Sequence, residues 1–321
     1  MQSKKSYLLF ILVCAIFGHT FLAISMGIQA GASPLFLAAL RFTAAGVLML
    51  TGLLISGKAD WASLKRLLVR SIILSLFLTV GTFGCMFIAQ THVDSGFMAR
   101  LDAAGPLVTA FLAALFFKKK ITPLHMGAFI LGMGGSFLIA APAVSAEPFY
   151  LIFAVATVLF YALANAIYPR LFAKEDDPVT VSALQALCGG LILLVLAFVF
   201  EPVSLPGAAI GPLLYLILAG SILGHTATLI LVRDAGPVFA SSWLYVAPVI
   251  ATISGYFVLG ETITPAGMAG TVIALAGVFV LDRAESRQLK AESGQRKAES
   301  GQRTADSGQR TADSGQQRVE S

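Results

Sequence analysis

Charge is what this sequence has least of. Asp, Glu, Lys and Arg together make up 12% of the 321 residues, against roughly a quarter in soluble domains, which excludes an ordinary water-soluble globular protein. Cysteine is nearly missing: Cys14, Cys85 and Cys188 all fall in apolar runs and form no CxxC or metal-ligand spacing. They read as small core residues, and neither a metal nor any other cofactor is expected. No GxxxxGK[ST] loop occurs, so the chain itself should not hydrolyse ATP, and HExxH and GxSG are absent too. With connections too short to hold a catalytic domain, a non-enzymatic protein is expected; channel, intramembrane enzyme and lipid-handling scaffold remain as alternatives. Lys and Arg exceed Asp and Glu by five, 22 against 17. In a soluble chain that excess could suggest nucleic acid, which is not expected here; what matters is where the cations sit.

What the sequence has in abundance is apolar length, with 57% hydrophobic residues. A template of about 20 apolar residues, enough to cross roughly 30 Å of hydrocarbon, fits ten times: 7 to 29, 35 to 56, 69 to 89, 95 to 117, 122 to 141, 148 to 169, 179 to 200, 209 to 232, 239 to 259 and 265 to 282. The first run follows Lys4 and Lys5 as a signal peptide would, but its length and the lack of a small-x-small cleavage site mark a retained helix. Charge placement tests the count independently, because cations gather in cytoplasmic loops. With the N-terminus inside, Lys4, Lys5, Lys58, Lys65, Arg66, Arg70, Lys118, Lys119, Lys120, Arg170, Lys174 and Arg233 all fall in inner connections. The outer ones hold Asp94, Glu147, Glu201 and Glu261.

The stretch Phe97 to Ile139 returns 142 residues later as Phe239 to Leu281, with eight of 43 positions identical, among them Pro106 and Pro248. A weaker match at an offset of 144 aligns Pro34, Arg41 and Gly46 with Pro178, Gln185 and Gly190. Five spans per copy is an odd number, so the second copy enters the membrane in the opposite sense. The expectation is an all-α integral membrane protein of ten transmembrane helices, built as two inverted five-helix repeats with both termini cytoplasmic. Its units would be 1–143, 144–283 and a solvated tail, 284–321, in which a seven-residue AESGQRK-like repeat lacks apolar positions for a coiled coil.

The two-copy layout, the proline within each fourth helix, Phe17 and Gly18 in the first helix, Ser33, Pro34 and Arg41 leading through the second, and the ending LGETITPAGMAGTVIALAGVFVL resemble the EamA-type transporters of the drug/metabolite transporter superfamily over residues 7 to 282. Phe17 stands where that family often has tryptophan, and the family's glutamate after the fourth helix is present as Glu261 but replaced by Lys119 in the first copy. The resemblance implies a central cavity built from the first four helices of each copy, and movement of small metabolites such as amino acids or drug-like compounds.

Ionisable groups inside spans cost at least about 2.5 to 3.5 kcal/mol each and mark candidate function. Arg41 and Asp102 both lie about four residues, some 6 Å, outward of the middle of parallel helices, so an ion pair between them is feasible, either structural or as a proton or cation site beside a carboxylate anchor. Arg100 is two positions from Asp102, about 200° round the helix, and would snorkel or contact substrate. His19 and His225 could titrate or serve as neutral helix partners. Tyr161, Asn165, Gln185, Trp243 and Tyr245 would form a less charged facing wall, although Trp243 and Tyr245 also suit an interfacial aromatic belt. Pro106 and Pro248 read as hinges or static kinks. Ala128, Gly132, Gly270 and Ala274 offer small-residue faces that would join the two halves or a homodimer through the fifth and tenth helices. A secondary transporter of a bacterial plasma membrane, exporting a small molecule by ion-coupled alternating access, is the function these features favour.

Overall fold

The computed structural model describes residues 3–93, 95–102, 105–117, 121–139 and 147–254, and all positions from 265 to 291 except 267, 271, 274, 278, 282, 285 and 289. Every regular element among them is helical: α1 (Lys4–Gln29), α2 (Pro34–Ile55), α3 (Trp61–Ala89), α4 (Ser95–Asp102), α5 (Gly105–Phe117), α6 (Pro123–Ile139), α7 (Pro148–Leu171), α8 (Pro178–Phe200), α9 (Gly207–Ala235), α10 (Pro237–Ser241) and α11 (Trp243–Ser254). The described positions between 265 and 291 are helical as well. Six of these helices, α1, α2, α3, α7, α8 and α9, are long and apolar enough to cross a membrane.

Local chemistry sets the boundaries. Ser3, Asp60 and Asp177 each accept a bond from the backbone N–H three residues on, supplying a partner that the first turn of a helix cannot find within itself. Pro34, Pro148 and Pro178 open their helices, where a missing N–H costs nothing. Gly236, at φ 90°, makes the turn from α9 into α10, a conformation that a Cβ would strain.

Several boundaries differ from the hydropathy template. The third helix starts at Trp61 rather than 69, because the Asp60 cap draws a polar first turn into it. Between 239 and 259, helix is interrupted at Ser242, and the described residues end at Ser254. Helical positions run on to 291, past the expected end at 282, because cationic residues can extend a helix beyond hydrocarbon. Both α3 and α9 also hold a π-helical stretch, Leu76–Gly84 and Leu216–His225, which hydropathy does not register.

The longest packing seam joins α2 to α8. A Cβ added to Gly46 would stand 2.5 Å from the Leu187 backbone nitrogen, and one added to Gly190 would stand 2.4 Å from that of Thr43. Only glycine permits this approach. At Gly18, α1 meets Ile250 of α11 just as tightly, at 2.6 Å. The small-residue face of α6 is occupied from within the chain, since Gly277 lies against Gly132 and the Ala128 carbonyl.

Candidate functional site

The helices converge on a narrow cavity lined by Phe17 and Phe21 from α1, Leu78, Thr82, Phe83 and Met86 from α3, Asp102 from α4, Tyr161 and Asn165 from α7, His225 and Thr228 from α9, and Trp243 and Leu244 from α11. Its free volume is about 20 Å³, room for about one water molecule.

Asp102, the last described residue of α4, is buried at 5% exposure, and among the described residues its Oδ1 has no hydrogen-bond partner. A carboxylate oxygen left so costs several kcal/mol in a dry site unless a cation or a proton arrives. The wall opposite is a connected aromatic unit. Trp243 Nε1 donates to the Tyr161 hydroxyl at 2.8 Å, the two rings meet edge to face at 88°, and Phe17 lies 4.6 Å from Trp243. Asn165 donates back to the Tyr161 carbonyl at 2.8 Å. Its side chain is thus held one turn along α7, on the same face as the tyrosine.

His225 closes the α9 side. Its ring packs edgewise between Phe17, Phe42 and Phe83, with centroids 5.4, 5.4 and 4.9 Å away, and Nε2 is buried without a hydrogen-bond partner. Behind Phe83 sits Arg41, wholly buried. Its Nε donates to Ser221 at 2.8 Å, and the guanidinium carbon lies 4.7 and 4.8 Å from the Phe42 and Phe83 ring centres. Among the described residues neither Nη atom has a hydrogen-bond partner, and neither does Asp102 Oδ1. The Arg41–Asp102 pair therefore does not form, and cation–π contacts with Phe42 and Phe83 stand in for the carboxylate.

Gln185, aligned with Arg41 in the sequence, lies outside the cavity wall and accepts from Thr79 Oγ1 at 2.6 Å. The two contacts mirror one another: Arg41 of α2 reaches the π-helical stretch of α9, and Gln185 of α8 reaches that of α3. Their numbers repeat the sequence offsets, since 41 + 144 is 185 and 79 + 142 is 221. The Gly46–Leu187 and Gly190–Thr43 approaches repeat the same exchange, because 43 + 144 is 187.

The remaining candidates are placed elsewhere. His19 is half-buried on α1, bonded through Nδ1 to the Ala15 carbonyl at 2.8 Å, and is not part of the cavity lining. Tyr245 is fully buried against Gly132 and Phe129, away from the cavity. It does not belong to an exposed interfacial belt, and neither does Trp243, at 5% exposure. Pro106 lies near the first described residue of α5, four positions after Asp102, with 103 and 104 outside the described residues. Pro248 lies within α11 and Arg100 within α4, and the side chains of both are outside the described residues. Phe83, Phe42, Thr79 and Ser221 escaped the sequence reading, since a lone aromatic or hydroxyl residue in an apolar run carries no pattern. The polar residues at matching offsets, Thr79 and Ser221, were the one usable signal.

The EamA-like transporter family model matches the chain twice, over residues 4–141 and 148–282. This chain belongs to that family. Among its curated relatives, the uncharacterized inner membrane transporter YedA of Escherichia coli K12 is 30% identical over 257 residues, 78% of this chain and 81% of that protein. An uncharacterized transporter of Archaeoglobus fulgidus is 22% identical, over 87% of this chain and 99% of its own length. A protein of Streptantibioticus cattleyicolor named as a probable terminal-alkyne amino-acid exporter is 25% identical over 203 residues, 60% of this chain and 66% of that one. One solved crystal structure superposes on this EamA-like chain with a TM-score of 0.71 at 18% identity, covering 89% of this chain and 100% of the other. The helical fold is thus shared, and transport through a membrane is the family's business.

Proposed function

We propose that the chain is a secondary carrier that exports small amine-bearing metabolites, amino acids or amphipathic drug-like compounds, across a bacterial inner membrane by ion-coupled alternating access. The observation that carries this reading is Asp102: a buried carboxyl with an unpartnered oxygen, on a cavity otherwise walled by aromatic and apolar side chains. Such a group holds a proton or a substrate ammonium, but not both, and that exclusivity couples the two fluxes. Tyr161, Trp243 and Phe17 supply rings on which an organic cation or an aromatic body can rest. His225 adds a second polar atom, unpartnered among the described residues, for the remainder of the solute, and Asn165 lines the same cavity.

A cavity this small admits a solute only when helices part, which fits a carrier passing through a closed state. The reciprocal contacts of Arg41 with Ser221 and Gln185 with Thr79 support two inverted halves that exchange conformations, each half leaning on the other's third helix. Pro106, four residues after Asp102, supports a hinge next to the binding carboxyl, with Pro248 as its counterpart. The contact of Gly277 with Gly132 favours an intrachain role for the small-residue faces over a dimer. Outward direction and an amino-bearing solute are supported by the relative named as an amino-acid exporter.

The test is solute counterflow in proteoliposomes with labelled amino acids and cationic drugs, comparing wild type with Asp102→Asn across a pH gradient. Saturable flux driven by the gradient and lost in Asp102→Asn is expected. Undiminished gradient-driven flux in that variant would remove Asp102 from the coupling site.

A further inference from the structure

A second, larger recess lies apart from the central cavity, between α1 and the helical residues near 290. Its volume is about 830 Å³, within the range of built ligand sites. Most of the lining is hydrocarbon-like, with Phe10, Cys14 and Ala15 on one side and Ile250, Leu275 and Phe279 on the other. At one end the chemistry changes abruptly to Arg283, Ser286, Arg287 and Lys290. Their spacing of three, four and seven residues places them on one face of a helix. Arg283 is braced with its guanidinium carbon 4.3 Å from the Phe279 ring centre, and Ser286 Oγ is buried without a hydrogen-bond partner. In sequence these cations look like the start of a mixed-charge tail; the helix gathers them into a compact basic rim.

We propose that this recess is a binding site for an anionic phospholipid, with an acyl chain in the apolar trough and the phosphate held by Arg283, Ser286 and Arg287. Guanidinium groups match phosphate oxygens in a forked geometry, and the serine hydroxyl adds a donor. Basic pockets between membrane helices select anionic headgroups because a zwitterionic lipid brings its own cation to the same place. The trough distinguishes a lipid from free phosphate: only a molecule carrying a chain dries the apolar walls as well as meeting the rim.

The experiment is native mass spectrometry of the full-length protein from micelles doped with equal phosphatidylglycerol and phosphatidylcholine. Wild type is expected to retain phosphatidylglycerol about tenfold over phosphatidylcholine, and the Arg283→Gln/Arg287→Gln/Lys290→Gln variant to fall to near parity. Ala15→Phe, which narrows the trough without touching charge, should reduce retention while keeping the preference, and an unchanged circular dichroism melt in either variant shows that folding is not the cause. An undiminished preference in the triple variant overturns the proposal. So does displacement of the lipid by millimolar glycerol 3-phosphate, which would assign the rim to a soluble phosphate.

Discussion

At the scale of single residues, the molecule turns on polar atoms buried in an apolar chain. Arg41 and Gln185 occupy matched positions, yet one is a cation held by two rings and a hydroxyl and the other a neutral amide bonded to Thr79. Removing Thr79 alone strands the Gln185 oxygen, so Thr79→Val should cost about 1 to 3 kcal/mol, while the double variant Thr79→Val/Gln185→Leu should cost less than the two single variants summed. Thermal unfolding in detergent measures that cycle, and strict additivity would mean that the bond contributes nothing. Glycines make a second residue-scale case. Gly190→Val must push aside the Thr43 backbone 2.4 Å away and should lower stability by about 1 to 3 kcal/mol. Gly52→Ala, on α2 with nothing within 4 Å of the added carbon, should be neutral or stabilising.

At the scale of elements, the α2 N-terminus is tied to the segment after α8. Glu201 accepts from the Phe36 and Leu35 backbone N–H groups at 2.6 and 3.3 Å, and Ser33 Oγ donates to the Pro202 carbonyl at 2.5 Å while accepting from Ser204 N–H at 2.8 Å. Desolvation pushes the Glu201 carboxyl above its usual range, against the opposing pull of the two N–H donors. The folded state therefore holds the proton more tightly than the unfolded one. This contribution to stability is fully present below the unfolded value and is lost as pH rises through the folded one. As pH rises above the ordinary carboxylate range, unfolding midpoints should fall more steeply for wild type than for Glu201→Gln; parallel curves would show that the carboxyl does not titrate there.

At the scale of the whole molecule, the tied α2–α8 end is a junction that has to part if the protein works as the alternating-access carrier proposed above. Locking that end should stop it. In a background with Cys14, Cys85 and Cys188 replaced by alanine, oxidation of a Ser33→Cys/Ser204→Cys pair is expected to abolish counterflow, and reductant to restore it. Full flux in the cross-linked protein would mean that this junction does not open during transport. Removal of residues 292–321 should leave counterflow unchanged, because the helices that line both recesses lie before them.

Membrane class, helical character and most helix starts were legible in the sequence, because apolar runs and capping residues are local signals; Asp102, Tyr161, Asn165, His225 and Trp243 stood out as rare polar or amphipathic groups in apolar runs, and the structure lines one cavity with them. Tertiary structure alone decided that Arg41 stacks on Phe42 and Phe83 instead of meeting Asp102, that Tyr245 packs on Gly132 away from the cavity, and that Arg283, Arg287 and Lys290 share a recess with α1. Arg41 and Ser221 are 180 residues apart, and which side chain a buried cation finds depends on how two helices cross. That crossing is set by where glycines let backbones touch and by the π-helical stretches of α3 and α9, neither of which hydropathy encodes.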